Sequence, residues 1–260
     1  MEIHHVCRLA IAPLRKEPSD RSEIVSQLLF GDRVKVLEKT EKWCRVITHH
    51  DHYEGWMDYK QLEKISAQQF FDDQGFLYLT PAQLNNTLVS VADGTNYYLS
   101  PGSTLPYYEN GFCYLGEKKF EVKFAPLIAK LSNFKNDIER VAKFYQNTPY
   151  LWGGRSLFGI DCSGFVQAVY TICGIQLKRD ASQQAEQGEL VDFLASSQLG
   201  DLAFFDNDEG KITHVGMMLG NDKIIHSAGM VRIDPIDDQG IFNAELNRYT
   251  HKLRIIKRFV

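Results

Sequence analysis

The pentapeptide Asp161-Cys162-Ser163-Gly164-Phe165 sets a cysteine at the start of an apolar run spaced for a helix, with Gly153 and Gly154 upstream. A helix N-terminus carries partial positive charge and N–H groups without intrahelical partners. Both favour a thiolate, the reactive form of cysteine, and the same N–H groups can hold the oxyanion formed when it attacks a carbonyl. Asp161 would oppose the thiolate by its charge, which points to capping or substrate binding for it instead. A nucleophilic cysteine also needs a base and a group that orients the base. Of eight histidines, His4, His5, His49, His50, His52 and His251 lie in terminal or polar segments and are expected to be solvated. His214 opens the apolar stretch THVGMML and His226 closes KIIHS. With residue 220 as the midpoint of a hairpin turn at Gly220-Asn221-Asp222, the two should lie near each other across the ladder. Cys162, His214 and His226 thus read as a Cys–His–His site. Two structural histidines and a buried cysteine fit the same spacing.

Those residues must be positioned by a domain that begins near residue 126. Ile138, Val141, Ala142 and Tyr145 recur at helical spacing, with Asn136 and Glu139 as a capping box at the start. The helix beginning near Cys162 has Phe165, Val166, Val169 and Cys173 as its stripe and Gly174 as its stop. Strands follow at 201–205, 213–219, 223–227 and 253–259. Helices first and strands afterwards predict an α+β fold with an antiparallel sheet. Ahead of it, residues 1–65 alternate with period two, as in RVKVLE, and predict a small barrel-like β module. Residues 66–125 predict a second β region, although 66–86 carry no clear signal. The expected division is 1–65, 66–125 and 126–260.

Composition excludes several classes. The chain has 260 residues, a formal charge of −4 and 44% hydrophobic residues. No block of Lys and Arg suggests nucleic acid as a partner. No run of 18 apolar residues suggests a membrane span, and the first residues do not read as a secretory signal, so a cytoplasmic protein is expected. The five cysteines are scattered without a CxxC pair, which argues against disulfides and structural zinc. HHDH at 49–52 offers metal-ligand types, but consecutive residues cannot all face one ion. DNDEG at 206–210 lacks the spacing of a calcium loop and reads as an exposed acidic turn. No metal or cofactor is expected.

The run PYLWGG…DCSGF, the later HVGM and the IIHSAG after it resemble the NlpC-type cysteine peptidases of bacterial cell-wall metabolism over roughly residues 127–260. The resemblance implies a papain-like fold with Cys162 as nucleophile, His214 as general base and His226 as the orienting residue. It implies that Tyr150 lines the site near the oxyanion and that Asp161 and Ser163 help bind a D-glutamyl residue. Arg179-Asp180-Ala181-Ser182 resembles the substrate loop of that family, with Asp180 and Ser182 as the implied contacts. LLFGDRVKVLEKTEKWCRVI and HYEGWM resemble a bacterial SH3-type domain, so one or two SH3-like barrels precede the catalytic domain.

In the subgroup with such barrels the implied activity is that of a γ-D-glutamyl-L-diamino-acid endopeptidase. It acts on murein peptides with a free N-terminal L-Ala and releases L-Ala-γ-D-Glu in wall-peptide recycling. The first barrel is then implied to read the substrate amine, through Asp32 and Tyr53, with Glu54 in reserve. A carboxylate paired to a partly desolvated ammonium would exclude blocked amines. The partner is thus a murein peptide, without nucleic acid or membrane, and a monomer is expected. The alternatives are a non-catalytic wall-peptide scaffold, or an amidase or acyltransferase with the same Cys–His pair.

Overall fold

The computed structural model describes residues 3–260. The chain divides into two compact units: one runs to Ala129 and includes Trp152–Leu157, and the other comprises Lys130–Leu151 and Phe158–Val260.

In the first unit, seven antiparallel strands lie in the order Ile24–Leu29, Ile11–Arg15, Glu54–Asp58, Trp43–Thr48, Arg33–Lys39, Ile3–Cys7, Leu62–Ile65. Period-two patterning makes them strands: in Trp43–Thr48 the alternate residues Cys44, Val46 and Thr48 are buried. Cys44 and Val46 join Leu14, Leu28, Val34 and Met57 in a core. A second sheet holds Asn96–Tyr98, Thr87–Ser90, Lys118–Val122 and Phe112–Leu115. Its core residues Leu88, Cys113 and Phe120 share one cluster with Val6 and Ile65 of the first sheet and with Phe30, just after the strand Ile24–Leu29, so the two β regions form one unit. The segment without a clear signal holds a short helix, Ala67–Phe71, capped by a Ser66–Gln69 box, and a strand Tyr78–Leu79 paired with Leu127–Ile128.

Trp152–Leu157 belongs to this unit through specific bonds. Trp152 Nε1 donates to Glu23 at 2.7 Å, and Arg155 donates to the Gln27 carbonyl at 2.8 Å and to Asp32 at 3.1 Å. Gly153 has φ +75°, and a Cβ there would lie 2.3 Å from the Ile24 carbonyl oxygen. Only glycine meets both conditions.

The second unit has the expected α+β organisation. Strands Glu189–Val191, Arg248–Arg258, Leu202–Asp206, Ile212–Met218, Lys223–Ala228, Met230–Asp237 and Gly240–Asn243 follow one another in an antiparallel sheet. Gly240–Asn243 also pairs with Arg248–Arg258, which closes six of the strands into a ring. Met230–Asp237 and Gly240–Asn243 lie outside the strands expected from periodicity.

The helix Cys162–Ile172 is buried on nearly all sides and packs on Ile212–Met218 and Lys223–Ala228. An all-round apolar helix is stable only inside a fold. Phe165, Val166 and Val169 are fully buried, each contributing about 1.5–3 kcal/mol. Gly174, at φ +89°, stops the helix as expected. The other helix spans Phe134–Phe144 and begins two residues before Asn136, behind Asn133, without a side-chain cap bond. The expected capping box is therefore not formed: Asn136 already lies inside the first turn, because burial of Phe134 extends the helix.

Candidate active site

Asp161 is the N-cap of the cysteine helix: its backbone is extended and its carboxylate accepts from Gly164 N at 2.6 Å. Cys162 is consequently the first helical residue. The backbone N–H groups of Ser163, on its own helix, and of Val215, on the strand Ile212–Met218, lie near the thiol and favour its ionised form. The thiol is thus close to the residue that follows His214. His214 is buried, and its Nε2 lies 2.9 Å from Nδ1 of His226, leaving His214 Nδ1 as the nitrogen that can exchange a proton with the thiol.

The two histidines lie near each other as expected, although not directly opposite, as a midpoint at residue 220 would place them. The register pairs His226 with Gly216, because Leu219 N bonds to Lys223 O and the three-residue turn centres on Asn221. His214 is therefore a diagonal neighbour of His226 on the same face, a separation that imidazole rings span. Gly216 makes room for this: a Cβ there would come within 2.8 Å of His226 Cβ.

Electrostatics favour a neutral resting pair. Burial pushes the Cys162 thiol up to about 12, and the Asp161 charge adds to it, against the Val215 N–H, Arg179 and the Ser163 N–H. Burial, then the His226 and His251 imidazoles, push His214 well below the ordinary histidine value. The helix start supplies the expected donors, but desolvation outweighs them. Both shifts favour the uncharged forms of the two groups at rest.

The residues around the thiol are tightly bonded. Arg179, 1% exposed, donates to both Asp161 oxygens at 2.6 and 3.1 Å and to Ser163 Oγ at 2.8 Å. Tyr150 is half-buried and held by its backbone N–H on Gly229 O at 2.9 Å. Its phenol is pushed up to about 12 by burial and the nearby Cys162 and Asp161, so it remains a donor. Asp180 is the N-cap of the short helix Ala181–Gln184, on which Ser182 is exposed.

In the first unit, Asp32 is buried, and its carboxylate accepts from Leu29 N at 2.9 Å and from Arg155. Tyr53 rests against the barrel core, and exposed Glu54 pairs with Arg45 at 3.3 Å.

Several histidines depart from expectation. His4 and His5 are buried, each on the strand Ile3–Cys7 between two neighbours. His251 is not solvated either. It lies on Arg248–Arg258, half-buried, with its ring stacked on His214 at 4.1 Å, and burial with the nearby His226 holds its pKa down to about 4. Sequence spacing gave no signal for it, because the strand returns from far along the chain. His49 faces Asp73 and His50 faces Asp51, while His52 is exposed, so HHDH does not converge on a point. All five cysteines are free and buried. Among the described residues, His214, His226 and His251 form a group of metal-ligand types, with nitrogens within 4.8 Å of one another. Both His226 nitrogens are already engaged, by His214 and by Asp234 at 3.0 Å, which suits proton transfer better than metal binding.

Comparison with known proteins agrees with this geometry. Residues 147–249 match the model of the NlpC/P60 family, and residues 14–62 match that of the bacterial dipeptidyl-peptidase Sh3 domain. Over 250 residues the chain is 30% identical to a γ-D-glutamyl-L-lysine dipeptidyl-peptidase of Bacillus cereus, covering 85% of this chain and 73% of that protein. The chain belongs to the NlpC/P60 family. A Bacillus subtilis protein of the same description is 33% identical over 225 residues, covering 78% of this chain and 72% of its own. The crystal structure of an NlpC/P60 family protein from Bacillus cereus has the same fold, with a TM-score of 0.81 over 98% of this chain and 99% of that one at 23% identity. An SH3-like β domain thus precedes an NlpC/P60 catalytic domain. Membership and these relatives support a cysteine peptidase acting on a peptide substrate.

Proposed function

We propose that this NlpC/P60 protein hydrolyses the γ-D-glutamyl–diamino-acid bond of murein peptides bearing a free N-terminal L-Ala. The specificity is supported by the relatives described as γ-D-glutamyl-L-lysine dipeptidyl-peptidases and by the SH3-like domain of dipeptidyl-peptidase type. The observation that carries the chemistry is a thiol at a helix start, near the backbone N–H that follows a histidine itself linked to a second histidine.

Cys162 Sγ attacks the γ-carbonyl carbon while its proton passes to His214 Nδ1. First-turn N–H groups, with the Tyr150 hydroxyl, stabilise the oxyanion. His214 then gives the proton to the departing amine, and the C–N bond breaks to leave a thioester. Water attacks the thioester, losing a proton to His214. L-Ala-γ-D-Glu departs, and the proton returns to Sγ. A requirement for a free amine restricts the enzyme to peptides already released from the glycan, which suits recycling of wall fragments.

The test is mass spectrometry of products from L-Ala-γ-D-Glu-L-Lys and L-Ala-γ-D-Glu-meso-diaminopimelate, each with an N-acetylated copy. Cleavage of the free peptides alone, abolished by Cys162→Ala, is expected. Equal cleavage of the acetylated copies would remove the amine-reading role of Asp32, Tyr53 and Glu54. Cleavage of none would reject the substrate.

A further inference from the structure

The chain of hydrogen bonds continues past His226. Its Nε2 lies 3.0 Å from Oδ2 of Asp234, a carboxylate 3% exposed. Asp234 is reached diagonally across the sheet, since His226 pairs with Arg232 and Asp234 with Ile224. Arg232 grips the same carboxylate with Nε on Oδ2 at 2.7 Å and Nη2 on Oδ1 at 2.9 Å, and its Nη1 reaches Glu245 at 3.2 Å. Burial works against the charge on Asp234, but the bonds from His226 and Arg232 outweigh it and hold the carboxyl below its ordinary value.

We propose that Asp234 is the positioning residue that sets the tautomers of both histidines and so leaves Nδ1 of His214 bare to accept the Cys162 proton. An ionised carboxylate can only accept, so the hydrogen between it and His226 sits on His226 Nε2. A neutral imidazole carries one N–H, so His226 Nδ1 is a lone pair. The 2.9 Å contact to His214 Nε2 then needs its hydrogen on His214. Neutral His214 is thereby left with an unprotonated Nδ1. With the opposite tautomers, His214 would offer an N–H to the thiol and could not take its proton.

The same carboxylate supplies the charge balance for the transfer. His214 by itself is a poor site for positive charge, being buried and facing the His226 and His251 rings. When it accepts the Cys162 proton at Nδ1, its Nε2 hydrogen can pass to His226 Nδ1, and the charge then lies one hydrogen bond from Asp234. Arg232 keeps Asp234 ionised and aimed. The other charged groups near the thiol, Asp161 and Arg179, neutralise each other. The SH–imidazole exchange moves one proton and breaks no other bond.

The test reads tautomers directly. Ring-nitrogen NMR of 15N-histidine-labelled protein at pH 8 should show protonated Nε2 and bare Nδ1 on both His214 and His226. Protonated Nδ1 on either neutral ring would overturn the proposal. In Asp234→Asn, the amide can donate to His226 Nε2, which inverts both tautomers. Turnover should then fall by up to about 10,000-fold with KM held within about threefold, the drop seen where an orienting carboxylate becomes an amide. Alkylation of Cys162 by iodoacetamide at pH 7 should slow in parallel, a readout independent of which peptide is the substrate. Unchanged tautomers and turnover in folded Asp234→Asn would refute it. The wild-type spectrum needs no variant, so it decides the tautomer assignment even if that variant fails to fold.

Discussion

Arg179 offers a sharp test of how the site is held. It is 1% exposed and makes a two-point contact with Asp161, itself 6% exposed, while its Nη1 also reaches Ser163 Oγ. Arg179→Met keeps most of the apolar volume and removes the charge. Asp161 then retains the Gly164 N–H at 2.6 Å and loses its countercharge. Two opposite charges about 4 Å apart at an effective dielectric near 20 are worth about 4 kcal/mol. Breaking a buried pair from one side costs about 3–5 kcal/mol. Both routes give a loss of about 4 kcal/mol, or roughly 8–16 °C in Tm for a chain of this size. The double variant Asp161→Asn, Arg179→Met keeps a good N-cap and leaves no buried charge, so it should recover all but about 1 kcal/mol. Urea and thermal unfolding of the wild type, both single variants and the double variant would check this as a cycle. A cost below about 1 kcal/mol for Arg179→Met, or a double variant no more stable than Arg179→Met, would refute the reasoning. KM of the stable double variant then reports whether the Asp161 charge also serves the substrate.

Two further outcomes follow from the site. Because His214 is held well below the ordinary histidine value and Cys162 up at about 12, the neutral pair persists across the working range. Lowering pH removes activity only when His214 takes a proton, so the acid limb of kcat/KM should lie below about 6.5, and the alkaline limb should follow the substrate amine near about 8. Profiles from pH 4.5 to 10 would check this, and an acid limb at or above about 6.5 would contradict it. Gly216→Ala would press a methyl to 2.8 Å from His226 Cβ and 2.7 Å from Ile224 Cδ1. It should cost about 1–3 kcal/mol and lower kcat more than it raises KM, as measured by unfolding and steady-state kinetics.

Much of the site was legible because it depends on short-range chemistry. A cysteine after an aspartate cap at a helix start is fixed by residues 161–164. Two histidines on one face of a hairpin follow from alternation and a tight turn, although the register was displaced because the turn centres on Asn221. The α+β order of helices and strands followed from the switch between helical and alternating periodicity. The shared core of the first two β regions was not visible, since Val6, Phe30 and Ile65 meet Leu88 and Phe120 only after the chain has folded back.

The sequence by itself determined which residue is the nucleophile candidate, where its helix begins, and that two histidines accompany it. Only the tertiary structure decided what surrounds them. Arg179 reaches the cap from a loop, His251 stacks on His214 from the last strand, and Asp234 closes the hydrogen-bond chain from a strand whose alternation is obscured by Arg232, Ile233 and Pro235. These partners are set by strand order and register, which depend on the closure of the whole sheet. Burial is likewise a property of the assembled fold. It pushes the helix-start Cys162 thiol up to about 12, against the N–H donors that the sequence placed around it.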